Sequence, residues 1–310
     1  MKRINGFLNI DSYFIKNYKK KYVNEFVKKV SDIHYIITIN SRNYYFKKLK
    51  NPYTELLAYE VAAFLGLKSV SYDLAIFQNM YGVISEDFKD KNCKYVSGQD
   101  ILFEYSRSTK CMTYLENMGL EQTEVNDYPN NAPYSYNINN LEIIWQAIEY
   151  KYKQLGINID MEKIMNDLIL IFIFNILVMQ NDGMSQNWVL EESAYGVNVG
   201  LLYDNAEAFK FGEGKYSPQC NFSTNFNDVG LGTYAILEEF LKISDKVYVD
   251  LFKEKFNMLT EDVFLKLIQR VEYKIECSIP NEIKTYYLEM FRANRENIKQ
   301  VLSKFDKSRI

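Results

Sequence analysis

The chain has 310 residues, 47% of them hydrophobic and 25% charged, with a formal net charge of −3. This is enough apolar material for one large domain or two moderate lobes, and the near-balanced charge gives no electrostatic case for nucleic acid or a membrane surface as a direct partner. Cys93, Cys111, Cys220 and Cys277 form no CxxC pair and His34 is the single histidine, which argues against a structural zinc site and for reduced thiols in a cytoplasmic protein.

The N-terminus MKRINGFLNIDSYF lacks the sustained apolar core of a signal peptide. The basic run Lys16 to Lys29 also carries Tyr and Phe and reads as a solvated helix face. Residues 33–49 alternate and are rich in Ile and Tyr; the polar break Asn40-Ser41-Arg42-Asn43 splits them into a hairpin. YTELLAYEVAAFLGL reads as a helix that packs through Leu56, Ala58, Val61 and Phe64, with Thr54 as its cap and Gly66 as its stop. Two more strands are expected around VSYDLAIFQ and MYGVISEDF. Residues 1–100 are thus expected to form a mixed sheet with one inserted helix.

From about residue 98 the pattern turns mainly helical. The Asn-rich stretch 126–140 reads as a surface loop. Residues 161–180 read as a buried helix, because the apolar run Leu168 to Met179 contains Asn175 and is too short to cross a bilayer. A strand pair is expected over 188–203, and amphipathic helices, broken near Ser278-Ile279-Pro280, over 234–307. The expected fold class is α+β, with a β-rich N-lobe (1–100) and a larger helical C-lobe (101–310) around a cleft, the layout of a two-lobed kinase.

The segment QNDGMSQNW, residues 180–188, carries the chemistry. Asp182 and Asn187 follow the buried helix, and Asp204 closes an apolar strand downstream. Phosphoryl transfer from ATP needs a carboxylate beside the acceptor hydroxyl and metal ligands, typically an Asn and an Asp. Asp182 would be the catalytic base, while Asn187 and Asp204 would hold magnesium. The reaction also needs a strand lysine supported by a helix glutamate. Lys47 closes the run YYFK, with Lys48 as the competing register, and Glu55 and Glu60 lie on the following helix. Trp188 is expected to anchor the loop by packing, His34 to be structural in an apolar strand, and the 26 tyrosines and 20 phenylalanines to fill the core and its rim.

Lys47 after its strand, TELLAYEVAAFLGL, the GVISEDF strand, NDxxxxNW and the later Tyr-Asp together resemble the HipA-like family of bacterial serine/threonine kinases, in a short form lacking the extra N-terminal subdomain. The likeness runs from about residue 35 to 210. It implies that Lys47 binds ATP phosphates with support from Glu55, that Asp182 is the base and that Asn187 and Asp204 bind magnesium. It implies ATP and Mg2+ as cofactors, a protein substrate (the chain itself included), an antitoxin-like partner and a toxin role. Two departures stand out. Asp182-Gly183-Met184 occupies the place where the family has Asp-Arg-His, and no Gly-rich phosphate loop is visible: the hairpin turn Asn40-Ser41-Arg42 is not glycine-rich, which leaves Ser31-Asp32, or the backbone amides of some other turn, as the substitute. A pseudokinase that acts as a binding module and a small-molecule kinase therefore remain as alternatives.

Overall fold

The computed structural model describes residues 1–17, 26–117, 141–180, 187–209, 237–238, 240–242 and 244–308. Its N-terminal part is built on a sheet of seven strands, β1 (Arg3–Ile4), β2 (Phe7–Asn9), β3 (Val27–Lys29), β4 (His34–Ile39), β5 (Arg42–Lys48), β6 (Asp73–Phe77) and β7 (Met80–Glu86). They lie in the order β1-β2-β6-β7-β5-β4-β3, and β2 with β6 is the parallel pair. Two helices cover this sheet, α1 (Ile10–Asn17) and α2 (Tyr53–Leu65).

Alternation along the strands sends side chains to the two helices in turn. Tyr35, Ile37 and Ile39 of β4, Phe46 of β5, Ala75 and Phe77 of β6 and Ile84 of β7 form a core with Ile10 and Phe14 of α1. Leu74 and Val83, one residue out of step, join the larger core that contains Leu56, Leu57, Ala58 and Val61 of α2. Phe46 is fully buried on the α1 side, so its neighbour Lys47 must project to the α2 side, opposite Val83. Lys48 is exposed.

The C-terminal part is mainly helical: α3 (Gly98–Ser106), α4 (Thr109–Asn117), α5 (Leu141–Gln154), α6 (Met161–Leu177), α7 (Lys246–Met258), α8 (Glu261–Ile275) and α9 (Asn281–Ser308). Asp160 caps α6 by accepting from the Lys163 amide at 3.0 Å. From Leu168 to Leu177 almost every side chain of α6 is buried, as expected for a central helix. Three short strands, β8 (Lys94–Ser97), β9 (Val189–Ser193) and β10 (Gly196–Val199), form a second sheet in the order β10-β9-β8. Among the described residues no helix is long and apolar enough to cross a membrane.

Thr54 does not cap α2; Pro52 precedes the helix, and the buried Thr54 hydroxyl lies 2.9 Å from Tyr287 Oη on α9. Gly66 does end α2, in the left-handed conformation. The basic run is not one helix face, since α1 stops at Asn17 and Val27–Lys29 is a strand; residues 18–25 lie outside the described ones. α1 is a second helix within the first 100 residues. The expected loop 126–140 lies outside the described residues, as does Cys220; Cys93, Cys111 and Cys277 are free thiols.

Gly82 marks the tightest backbone approach beside Lys47. A Cβ at this position would stand 2.0 Å from the Lys47 carbonyl oxygen. Gly82→Ala is expected to destabilise the fold by about 3 kcal/mol through overpacking, measured by chemical denaturation; an unchanged midpoint would contradict this packing of β7 on β5.

Candidate functional site

Lys47 meets two carboxylates. Its Nζ hydrogen-bonds Asp204 Oδ1 and lies 3.8 Å from Glu55 Oε1. The lysine side chain is 16% exposed, Asp204 37% and Glu55 0%, so the cluster grades from solvent into the core. Glu55 reaches this point from the first turn of α2, whereas Glu60, on the same helix, is half-buried and makes no hydrogen bond to Lys47.

Asp204 is not at the end of a strand. β10 stops at Val199, and the chain is then carried by Leu202, whose N–H donates to Lys68 O at 3.0 Å and whose carbonyl accepts from Val70 N at 2.9 Å. Asp204 follows with φ +59°, a left-handed conformation that Asp tolerates better than most residues. Its N–H donates to Tyr72 Oη at 3.3 Å, and the next N–H, of Asn205, donates to Glu55 Oε2 at 2.9 Å. Glu55 therefore serves both the lysine and the Asp204 segment.

Burial pushes the Glu55 carboxyl up to about 7, against the pull of Lys47 and with a push from Asp204. The Tyr72 phenol is driven well above its usual range, mainly by burial and then by Glu55. His34, opposite Lys47 in the β4–β5 ladder, is held below its usual value by burial and by the Lys47 ammonium. It is not a packed core residue. His34 lines a cavity of about 370 Å³ together with Lys47, Asp204, Tyr72 and Phe88. Phe88 lies 5.9 Å from the Tyr203 ring, giving this cleft an aromatic wall of the kind ligand sites use.

Asn187 is buried two residues before β9, and Trp188 between them is 3% exposed, packed as expected. The Trp188 carbonyl accepts from Gly98 N at 3.0 Å, which ties the start of β9 to α3. Asp182 lies outside the described residues. The structure thus gathers Lys47, Glu55 and Asp204 at one point, with Asn187 just ahead of Val189, itself on the cleft wall.

The hairpin turn Asn40-Ser41 is exposed, and its two positive φ angles are those of a tight hairpin turn. Ser31-Asp32 lies nearer the cleft, for Ser31 Oγ is 3.0 Å from His34 Nδ1. Yet the amides of Val30 and Ser31 bond the His34 carbonyl, and those of Ile33 and His34 bond Ser31 Oγ. These donors are satisfied within the loop and form no anion cradle in this conformation. Sequence reading missed Tyr72 and Gln180, whose roles here are hydrogen bonds to the Asp204 backbone that no motif signals.

The chain matches no protein-family model and no curated protein sequence. Among solved structures it is similar to the Helicobacter pylori proinflammatory kinase CtkA, with a TM-score of 0.62 at 13% identity over 91% of this chain and 98% of that one. It is also similar to HipA from the Shewanella oneidensis MR-1 toxin–antitoxin complex of HipA, HipB and operator DNA, with a TM-score of 0.54 at 10% identity over 96% of this chain and 71% of that one. The chain therefore has the fold of HipA-like kinases, with a sheet-rich N-terminal part and a helical C-terminal part.

The raised Glu55 carboxyl has a stability consequence. Between its ordinary 4.5 and about 7 the folded chain holds a proton that the unfolded chain has lost, so this group's contribution to stability falls as pH rises through that window. Relative to wild type, Glu55→Gln is expected to gain about 3 kcal/mol between pH ~4 and ~8. Urea denaturation at both pH values checks this; a pH-independent difference would contradict a proton held at Glu55.

Proposed function

We propose that the chain is an ATP- and Mg2+-dependent phosphotransferase acting on Ser or Thr hydroxyls of protein, its own among them. The observation that carries the reading is that Lys47 and Asp204 meet on one cleft, with Glu55 buried behind the lysine, in a chain with a kinase fold. Residues 1–100 would form the nucleotide-holding lobe and residues 101–310 the lobe that presents the acceptor.

The donors suit the proposed metal. Asp204 offers a partly exposed carboxylate and Asn187 an amide oxygen, hard ligands of the kind magnesium takes. Bound there, the ion would neutralise phosphate charge. Lys47 would exchange Asp204 for phosphate oxygens, and Glu55 would hold its ammonium in place. Asp182 would orient the acceptor hydroxyl and take its proton. The acceptor oxygen then bonds to the γ-phosphorus as the bond to the ADP oxygen breaks.

The HipA neighbour is a complex with HipB and operator DNA. By analogy alone, an antitoxin-like protein is the partner we would seek first for this chain. One observation favours a second reading. The amides of Val30, Ser31, Ile33 and His34 are engaged within their own loop rather than turned to a phosphate, which supports a binding module that has lost catalysis.

Incubation with labelled ATP and magnesium separates these readings. Wild type is expected to retain label on Ser or Thr, and Asp182→Asn to lose about 1000-fold in rate without losing its fold. Equal labelling of the two proteins would contradict the assignment of Asp182. Absence of labelling in wild type, or of nucleotide binding, would favour the module.

A further inference from the structure

Asp204 is held by its backbone from three directions. The peptide unit that joins Asp204 to Asn205 is gripped at both ends: its C=O accepts from Gln180 Nε2 at 3.0 Å, and its N–H donates to Glu55 Oε2 at 2.9 Å. The preceding N–H, on Asp204 itself, donates to Tyr72 Oη at 3.3 Å. Together these bonds hold both peptide groups flanking the Asp204 Cα, and with them the positive φ of this residue and the direction of its carboxylate.

Gln180 belongs to the other side of the site. Its backbone N–H donates to the Asn175 carbonyl at 2.9 Å, closing the end of α6. The side chain is 2% exposed. Its amide orientation follows from the contact, since reversal would set two carbonyl oxygens against each other. This leaves Gln180 Oε1 buried with no hydrogen-bond partner among the described residues, an arrangement that costs stability. A residue present only to fill the core would be apolar here.

We propose that Gln180 is a positioning residue that, by gripping the Asp204 carbonyl from beyond the end of α6, sets the direction of the Asp204 carboxylate. The inference rests on the phosphotransferase reading for the metal that this carboxylate would bind. Its geometry stands on the Gln180 and Glu55 contacts alone.

Gln180→Met keeps the volume and removes the donor, and Gln180→Glu replaces the donor with an acceptor facing the Asp204 carbonyl. Mn2+ binding in the presence of a non-hydrolysable ATP analogue, followed by electron paramagnetic resonance, reads the position of Asp204 without turnover. Both variants are expected to bind Mn2+ about tenfold more weakly, in the range for a residue that orients a metal ligand. They should bind the analogue without metal as wild type does, and lose rate with KM for ATP unchanged. Wild-type Mn2+ binding in both variants would overturn the proposal. So would a joint loss of thermal stability and of metal-free analogue binding in Gln180→Met, which marks a structural role only. Should Gln180→Glu fail to fold, Gln180→Met decides alone. A wild-type chain that binds Mn2+ and analogue but transfers no phosphoryl group defeats the functional reading, while the Mn2+ comparison still judges Gln180. A wild-type chain that binds no Mn2+ overturns both.

Discussion

One ammonium set between two carboxylates organises this chain. Lys47 bonds Asp204 and stands 3.8 Å from the fully buried Glu55. Buried ion pairs seldom repay their desolvation as stability, and here a single positive charge faces two negative ones. Burial pushes the Glu55 carboxyl up to about 7 against the pull of Lys47. On the proposed reading the cluster would receive further positive charge and give up its lysine to a competing anion. A magnesium nucleotide would do both.

Everything around this cluster fixes where the three groups stand. Phe46 locks the register of β5 against α1, which turns Lys47 to the opposite face. α2 carries Glu55 under the sheet, and Gly82 lets β7 run close beside the lysine backbone. The short pairing of Leu202 with Lys68 and Val70 brings Asp204 back to the same point from the helical part of the chain. On the far side, Asn294 of α9 donates to the carbonyls of Ile176 and Leu177, at 3.0 Å each, which secures the end of α6 just ahead of Gln180.

Much of this was legible in the sequence where the signal is local. Period-two alternation gave the β4–β5 hairpin, and an apolar helical pattern ending at Gly66 gave α2. The hairpin of β1 and β2 was missed although Asn5-Gly6, both at positive φ, is a strong turn signal; strands so short carry no period of their own. Longer-range features left no trace. Thr54 looks like a cap, but its hydroxyl is claimed by Tyr287 from the far end of the chain. His34 reads as one more apolar-strand residue, and only the sheet register places it opposite Lys47 on the cleft wall. Gln180 lay inside the segment that first suggested chemistry, yet its contact is to a backbone carbonyl, which no side-chain pattern encodes.

A crystal structure with a non-hydrolysable ATP analogue and magnesium tests the central claim most directly. Lys47 Nζ is expected to leave Asp204 for phosphate oxygens while Glu55 stays beside it, and the metal to sit between Asn187 and the freed Asp204 carboxylate. A complex in which Lys47 keeps its bond to Asp204, with nucleotide and metal bound elsewhere, would contradict it.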